Sequence, residues 1–472
     1  MSNDESRKKA ANVQPLKDLF HITHFSRFYR LYIPASILIG AISGLFMVAL
    51  QVMIDVTTFA FSGFPLFIAP IIGGLFSGIL IKLGRTEIQG SGISTAIELT
   101  HQPSKLRTGT KFTKLVATSV SIGTGNPVGR EGPAVLIGAG VGNTIARWLG
   151  FDNDSDLRVF LMMGSAAATA GIYMAPLGGA LFATEAPYRR DARLGYFVPT
   201  AIAALTSFIV FSSSFLLLTG NGITPLFLFP AELQITLMEI PLLIFFGIVT
   251  GLISILFAVS LMATRNFFTL KFPDWVDPII GSSLACVVIF LVGLVLDPSL
   301  TIAGMGYEVI NALASNPQPL LIIIILLFGK LFASSFVVAG RVSGGVLASS
   351  LFVGAMLGSF FGEIFFPQNV PAFIVLGMGA VLAATTNTPV ATTIMMLEMS
   401  LSFTLIIPLV ICVTVSYLVS AGTSLYEGQK VSRDDEEPGF FSPTNVLETG
   451  KARFKKDSVS TLADSDDEEN IV

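Results

Sequence analysis

The sequence predicts an all-α integral membrane protein whose transmembrane helices are short, broken and tilted in two regions of the chain. Of its 472 residues, 52% are hydrophobic and only 13% are charged, whereas soluble domains carry about 25% charged residues. Several apolar segments reach the roughly 20 residues that a membrane-spanning helix needs. Other apolar segments are shorter and are interrupted repeatedly by glycine and proline.

The uninterrupted segments predict ordinary spans, and the interrupted ones indicate a substrate site. Short segments broken by glycine and proline occupy residues 90–187 and recur after Gly304. Interrupted segments in two corresponding regions are typical of a site near the membrane midplane that is built from broken helices. The ordinary spans are predicted at Leu31 to Phe61, Phe64 to Leu83, Phe197 to Leu218, Leu237 to Met262 and Ile279 to Leu296.

An internal repeat relates the two interrupted regions. Gly90-Ser91-Gly92 matches Gly304-Met305-Gly306, at an offset of 214 residues (304 minus 90). Further matches keep nearly this offset, which indicates homologous halves. We therefore predict a tandem duplication within a membrane domain at 31–426, with halves at about 31–219 and 236–426. The further matches are Lys114 with Lys330, Gly138 with Gly354 and Gly142 with Gly358, all at 216, and Gly164 with Gly377, Pro176 with Pro389 and Glu185 with Glu398, all at 213.

Both ends of the chain are polar. Residues 1–30 carry several lysines and arginines ahead of the first span, which favours a cytoplasmic amino-terminal segment. Residues 427–472 end in the acidic run Asp464 to Glu469 and lack apolar periodicity, which is typical of a disordered cytoplasmic tail. We predict a multi-pass protein of the cell membrane with both termini in the cytoplasm.

The composition argues against several kinds of site. The two cysteines, Cys286 and Cys412, lie in apolar runs and imply no disulfide framework. The three histidines show no metal-ligand spacing on any apolar span, and the net charge of −4 resides mainly at the two ends. We therefore expect no metal, no cofactor and no nucleic-acid partner.

A charged pair inside an apolar region is the strongest candidate site. It lies in Gly129-Arg130-Glu131-Gly132-Pro133. Proline suits the first turn of a helix, and the free N–H groups and dipole of a helix start attract an anion. The carboxylate of Glu131 would occupy the same position when ionised and would leave that position when protonated. We predict anion binding by Gly129, Arg130 and Gly132 and a gating role for Glu131; the simpler alternative is a structural ion pair between Arg130 and Glu131.

Four other polar residues are weaker candidates. Ser91, between two glycines, either lets helices approach closely or aims its hydroxyl at an anion. Glu185 and Glu398 each follow a proline by nine residues, and the simple interpretation is a carboxylate bonded to neighbouring backbone. Two arginines that follow Glu185 could instead neutralise it. Tyr426 lies where the last span meets water, a common position for an interfacial anchor.

Together these motifs resemble those of the CLC family of chloride channels and chloride/proton antiporters, in its prokaryotic type without regulatory cytoplasmic domains. The segment 129–133 matches the family's second anion-binding motif in full. The similarity spans roughly residues 33–426. Three more segments carry it: Gly90 to Ser94 resembles the first motif with Ser94 for proline, Ser343 to Ser349 resembles the third with Leu347 for phenylalanine and Ser349 for proline, and Ser424-Leu425-Tyr426 resembles the segment of the inner tyrosine.

The resemblance implies a homodimer in membrane lipid, in which each subunit holds its own pore between two inverted repeats. In the family's arrangement, Ser91 and Tyr426 hold a central chloride ion. The backbone N–H groups of Val346 and Leu347 join those near Glu131 at an outer site, and Glu131 is the external gate.

Two positions depart from the family pattern. Family antiporters usually carry a second, inner glutamate that relays protons, and the alignment places Ala186 there, with Glu185 one residue before it. A shift of one residue turns a helical side chain by about 100°, so Glu185 is a possible inner proton relay of non-standard geometry. Arg341 falls where the family usually has a small residue, and it either favours anions near the pore or faces cytoplasmic water.

The function predicted is selective transport of chloride or a similar small anion, not an enzymatic reaction. The leading prediction is channel-like transport with voltage- or pH-dependent gating, and the alternative is a chloride/proton antiporter with a non-standard inner proton path. An intramembrane hydrolase is a remote alternative, since neither a Gly-x-Ser-Gly nor a His-Glu-x-x-His element occurs. A cation channel is disfavoured because Arg130 and helix N-termini would repel its substrate.

Overall fold

The computed structural model describes residues 28–432, apart from 105, 152, 221–225, 228–232, 234–236, 270–271, 298 and 421. This part of the chain contains sixteen α-helices and no β-strand. The all-α membrane fold predicted from the sequence is therefore confirmed. Most of the two polar end segments, 1–30 and 427–472, lies outside the described residues.

The helices fall into two series of eight that follow the same order. The first series is α1 (Ile33–Phe61), α2 (Ala69–Lys82), α3 (Ile93–His101), α4 (Thr110–Gly123), α5 (Glu131–Trp148), α6 (Asp154–Tyr173), α7 (Pro176–Glu185) and α8 (Phe197–Thr219). The second is α9 (Ile240–Thr269), α10 (Asp277–Gly293), α11 (Tyr307–Ser315), α12 (Leu320–Ala339), α13 (Leu347–Phe365), α14 (Val370–Thr386), α15 (Pro389–Ser400) and α16 (Ile406–Ser420).

Helix length separates spans from short segments, but not everywhere as the sequence predicts. The predicted spans Phe64 to Leu83 and Ile279 to Leu296 correspond to α2 and α10, which have only 14 and 17 residues, whereas α12 and α13 lie in the second interrupted region and are long enough to cross. Within the described residues, six helices are long and apolar enough to cross a membrane by length and composition. In contrast, α3 and α11 have 9 residues each and α7 has 10. A helix of that length covers only about half of the hydrocarbon core. These short helices therefore begin or end inside the protein.

Glycines bring two central helix pairs into close contact, α5 with α6 and α13 with α14. A Cβ atom at Gly138 would lie 2.6 Å from the Cβ of Ala168, and one at Gly354 would lie 2.7 Å from the Cα of Met378. Distances this short are not tolerated, so the backbones meet only because these positions are glycine. The same packing occurs in both halves and fixes the starts of α5 and α13 in the protein interior.

A different helix contact connects the two halves, because the short helices α7 and α15 pack against each other. Glu185, the last residue of α7, accepts hydrogen bonds from the N–H groups of Val390 (3.2 Å) and Ala391 (2.7 Å) at the start of α15. Glu398 in α15 makes the reciprocal contact. It accepts hydrogen bonds from the N–H groups of Leu177 (3.0 Å) and Gly178 (2.8 Å) at the start of α7. Each carboxylate thus caps the partner helix at its positive end.

We predict that Gly138→Val destabilises the fold by about 1–3 kcal/mol or more, because the added side chain forces α5 away from α6. The measurement is the thermal unfolding midpoint of the purified protein in detergent. Gly293→Val is the matched control, since a Cβ at this helical glycine meets no atom within 4 Å. Equal midpoints for the two variants would contradict the importance of the close contact.

Candidate functional site

Two loops, one from each half, interlock at the centre of the protein. Gly129 donates its N–H to the carbonyl of Gly345 (2.8 Å), and Gly345 donates its N–H to the carbonyl of Gly129 (2.7 Å). Helix α5 begins two residues after Gly129, and α13 begins two residues after Gly345. The two reciprocal bonds therefore place the N-termini of both helices beside each other.

The interlocked starts offer free backbone donors. The first hydrogen bond of α5 runs from the Ala134 N–H to the Arg130 carbonyl (3.0 Å), and that of α13 runs from the Ser350 N–H to the Val346 carbonyl (2.8 Å). N–H groups ahead of these have no partner inside their own helix. They include those of Gly132 in α5 and Leu347 in α13. Two positive helix ends directed at one place suit a small anion.

Glu131 lies at this place and is 1% exposed. Its Oε1 accepts a hydrogen bond from the hydroxyl of Tyr307 at the start of α11, whereas its Oε2 has no hydrogen-bond partner among the described residues. Arg130 and Lys330 are close enough to act on the carboxylate electrostatically. A buried carboxylate thus lies beside the two helix starts, with its Oε2 close to Gly129.

The side chain of Arg130 connects the loop to helix α6. It is 6% exposed, and its Nη2 donates to the carbonyl of Ile172 (3.3 Å) at the end of α6. No direct ion pair joins Arg130 and Glu131 within the described residues, although the two charges attract each other. The structural ion pair considered from the sequence is therefore a longer-range interaction.

Ser91 reaches the same region from a loop between two glycines. The flanking residues Gly90 and Gly92 have positive φ angles of 57° and 84°, a conformation that glycine adopts at low cost. The ammonium of Lys114 donates to the carbonyls of Ile88 (2.8 Å) and Gly90 (2.6 Å). A Cβ at Gly132 would lie 2.8 Å from the Ser91 carbonyl oxygen, so the Ser91 loop lies against the start of α5.

Tyr426 approaches on the segment that follows α16. Its ring is buried, and its hydroxyl has no hydrogen-bond partner among the residues described. Its backbone N–H donates to Ser424 Oγ (3.0 Å), and Ser424 Oγ donates to Gln429 Oε1 (2.5 Å). The backbone of Tyr426 is thus anchored while its hydroxyl stays available for a ligand.

A vestibule of about 810 Å³ leads to these residues. Ser91, Val346 and Tyr426 line it, whereas Glu131 does not. Its wall also carries the basic and acidic side chains of Arg189, Arg265, Arg341, Glu87 and Glu427. An anion entering the vestibule would meet Ser91 and Tyr426 before it met Glu131.

Arg341 is largely neutralised. It has a left-handed backbone (φ 62°), and its side chain pairs with Asp274 (2.5 Å) and with Asp277 (3.3 Å). Its carbonyl accepts the N–H of Gly90 (3.3 Å). The residue therefore fixes the Ser91 loop and closes a cluster of charges at the vestibule wall.

The surroundings of Ala186 are mostly apolar, with hydroxyl groups only from Thr100 and Ser165 in the adjoining cavity. Ala186 is 4% exposed and borders a small cavity of about 20 Å³ together with Ile93, Ile97 and Phe182. Gln429 Nε2 donates to the Ala186 carbonyl (2.7 Å). No carboxylate lines this cavity, and the Glu185 carboxylate is held at the start of α15 instead.

The structure brings together most of the residues that the sequence singled out, and it adds Tyr307, which was not among them. Gly129, Arg130, Glu131 and Gly132 meet Val346 and Leu347, with Ser91 and Tyr426 on the vestibule side. The missed signal was available, since Tyr307 follows the second copy of the repeated glycine motif directly. Across the described part of the chain, no three His, Cys, Asp or Glu side chains cluster as a metal site would require.

Comparison with known proteins identifies a single family. The family model described as "Voltage gated chloride channel" matches residues 73–421. A voltage-gated ClC-type chloride channel, ClcB, of Salmonella typhi is 30% identical over 371 residues, which cover 74% of this chain and 83% of that protein. An uncharacterised protein of Methanocaldococcus jannaschii is 26% identical over 391 residues, covering 83% of this chain and 93% of that protein.

Solved structures share the fold. A slow cyanobacterial Cl⁻/H⁺ antiporter superposes with a TM-score of 0.71 at 21% identity, covering 83% of this chain and 95% of that one. A CLC-type fluoride/proton antiporter superposes with a TM-score of 0.73 at 20% identity, covering 86% of this chain and 98% of that one.

We predict that Glu185→Gln lowers the unfolding midpoint in detergent, because a neutral amide caps a helix start more weakly than a carboxylate, by about 1 kcal/mol or more. Glu398→Gln is the matched control and should lower it similarly, since it removes the corresponding cap. A loss of proton-dependent transport confined to Glu185→Gln, without a change of stability, would contradict a capping role and favour a proton relay.

Proposed function

Since the chain belongs to the voltage-gated chloride channel family, also called the CLC family, we propose that it transports chloride across the cell membrane through a pathway in each chain that Glu131 gates. The observation that carries this proposal is the buried carboxylate at two converging helix starts. A carboxylate and a chloride ion compete for the same free donors. Protonation neutralises Glu131 and weakens its hold on that position, so that an anion can enter.

The chloride pathway in this proposal has two binding positions. Ser91 and the free hydroxyl of Tyr426 hold an ion at the end of the vestibule. The backbone N–H groups at Gly132, Val346 and Leu347 hold a second ion where the Glu131 carboxylate lies. The Leu347 side chain contributes little, because the donor is its backbone.

Exchange of chloride for protons is supported by the fold neighbours and by the gate. The two solved neighbours are antiporters, one for chloride and one for fluoride. A glutamate that alternates between an ionised and a protonated state carries one proton at each cycle. This mode requires a proton route between Glu131 and the vestibule.

Passive, channel-like conduction is the second candidate, and the environment of Ala186 favours it. The cavity at the position of the usual inner glutamate is lined by apolar side chains and by the hydroxyl residues Thr100 and Ser165, so it holds no carboxylate that could relay a proton. The carboxylate of Glu185 is occupied by two backbone N–H groups of α15. Voltage- or pH-dependent opening would then come from Glu131 alone.

A homodimer in the membrane is part of the proposal. Helices α7, α8, α15 and α16 present exposed apolar side chains, among them Leu177, Ile209 and Ile407. Exposed apolar side chains of this kind suit lipid or a second copy of the chain. We place both termini in the cytoplasm, on the strength of the basic residues before α1.

We predict that Glu131→Gln transports chloride at or above the wild-type rate and with no dependence on pH, because glutamine resembles a permanently protonated gate. The measurement is chloride efflux from reconstituted vesicles between acidic and neutral pH. Glu363→Gln, near the far end of α13, is the control and should keep the wild-type pH profile. An unchanged pH profile in Glu131→Gln would overturn the gate.

The reversal potential under an imposed pH gradient separates the two modes. For an exchanger we expect the potential to shift with the gradient, since each chloride movement is tied to a proton. For a channel we expect the potential to follow the chloride gradient alone. A shift that disappears in Glu131→Gln would assign the coupling to this carboxylate.

A further inference from the structure

The internal symmetry of the chain points to the loop before α11. Gly304-Met305-Gly306 is the second copy of Gly90-Ser91-Gly92. Gly304 and Gly306 have positive φ angles of 59° and 87°, close to the 57° and 84° of Gly90 and Gly92. The two loops therefore share one backbone conformation, and each leads into a helix of 9 residues.

Buried lysines fix both loops in the same way. Lys330 is fully buried, and its ammonium donates to the carbonyls of Ile302 (3.0 Å) and Gly304. Lys114 makes the corresponding bonds in the first half. A buried ammonium is costly unless every donor finds a partner. The Lys330 bonds thus hold the loop rigid immediately before Tyr307.

The two copies present different side chains to the site. In the first half the loop carries Ser91, and α3 starts with Ile93. In the second half the serine is replaced by Met305, and α11 starts with Tyr307, whose hydroxyl donates to Glu131 Oε1. The polar side chain therefore lies in the loop in the first half and on the first residue of the helix in the second half. The second loop therefore contacts the gate itself rather than the inner ion position.

Packing holds the Tyr307 ring against this carboxylate. Tyr307 is 9% exposed, and its ring meets that of Phe227 edge to face, with centroids 5.8 Å apart and planes at 88°. An ordered ring loses little further entropy when its hydroxyl bonds to Glu131. Hydrogen bonds to a charged acceptor are about twice as strong as neutral ones.

We propose that Tyr307 is the second half of the gate: its hydroxyl holds the ionised Glu131 carboxylate in the closed position, and opening requires this bond to break. The inference rests on the proposed gating function of Glu131. The bond favours the ionised carboxylate over the protonated acid, so it contributes, together with the charges around Glu131, to the pH at which the gate opens. Tyr307 is thereby a positioning residue that acts through Glu131.

Other groups also act on this carboxylate and belong in any account of its pH dependence. Arg130 precedes it in the chain, and Lys330 reaches it from α12. The phenol groups of Tyr173 in α6 and Tyr426 after α16 lie within electrostatic range of it. Only Tyr307 bonds to it directly through a side chain among the residues described.

The test is the pH profile of chloride efflux for Tyr307→Phe in reconstituted vesicles. Phenylalanine keeps the ring and its contact with Phe227 but removes the donor. The half-maximal pH should rise by about one unit, a tenfold lower proton concentration, because the ionised gate loses a charge-assisted hydrogen bond. Tyr32→Phe is the matched control, since Tyr32 donates to the Asp156 carboxylate far from the site, and its profile should not move.

A second substitution tests the direction of the shift in half-maximal pH while keeping the hydroxyl of residue 307. Incorporation of 3-fluorotyrosine at position 307 makes the hydroxyl a stronger donor, and the half-maximal pH should then fall. This variant also serves if Tyr307→Phe does not fold. A midpoint unchanged in both variants, or moved in the same direction by both, would overturn the proposal.

The double variant separates this proposal from the gate. In a Glu131→Gln background, Tyr307→Phe should change neither the flux nor its pH dependence further, because the two residues act as one unit. An equal effect of Tyr307→Phe in both backgrounds would show that Tyr307 acts independently of Glu131. A pH-dependent Glu131→Gln would instead overturn the gating function itself, whatever Tyr307 does.

Discussion

The two reciprocal hydrogen bonds between Gly129 and Gly345 are the constraint on which the site depends. They join the two halves at the midpoint of the fold and set the starts of α5 and α13 side by side. A Cβ at Gly345 would lie 3.0 Å from the Gly132 nitrogen, so larger residues would separate the helix starts. Helix termini leave their first N–H groups unpaired. The pairing of Gly129 with Gly345 determines where these free donors of α5 and α13 point.

Charged groups in the interior and at the vestibule wall are balanced in three different ways. The ammonium groups of Lys114 and Lys330 donate hydrogen bonds to loop carbonyls. Arg341 is neutralised by two aspartates at the vestibule wall. The Glu131 carboxylate has one bonded oxygen and one without a partner in the described structure. A carboxylate held this incompletely can exchange its position for an anion or a proton more readily than a fully bonded one.

The duplication gives both halves the same loop conformation, and the two copies of the loop have different roles. The loops at Gly90 and Gly304 share their φ angles and their buried lysines. The first carries a hydroxyl toward the vestibule, and the second delivers Tyr307 to the gate. The reciprocal caps of Glu185 and Glu398 follow the same logic, since each half stabilises a short helix of the other.

The sequence by itself determined the class of the fold, its internal repeat and the motif around Glu131, because composition, helix length and glycine spacing are local properties of the chain. The positions that depend on contacts between distant segments were decided only by the tertiary structure. Tyr307 lies 176 residues from Glu131, and its position after the second glycine motif does not by itself show that its hydroxyl meets this carboxylate. The cap made by Glu185 and the aspartate partners of Arg341 were likewise hidden, because hydrogen bonds across the repeat depend on how the two halves pack.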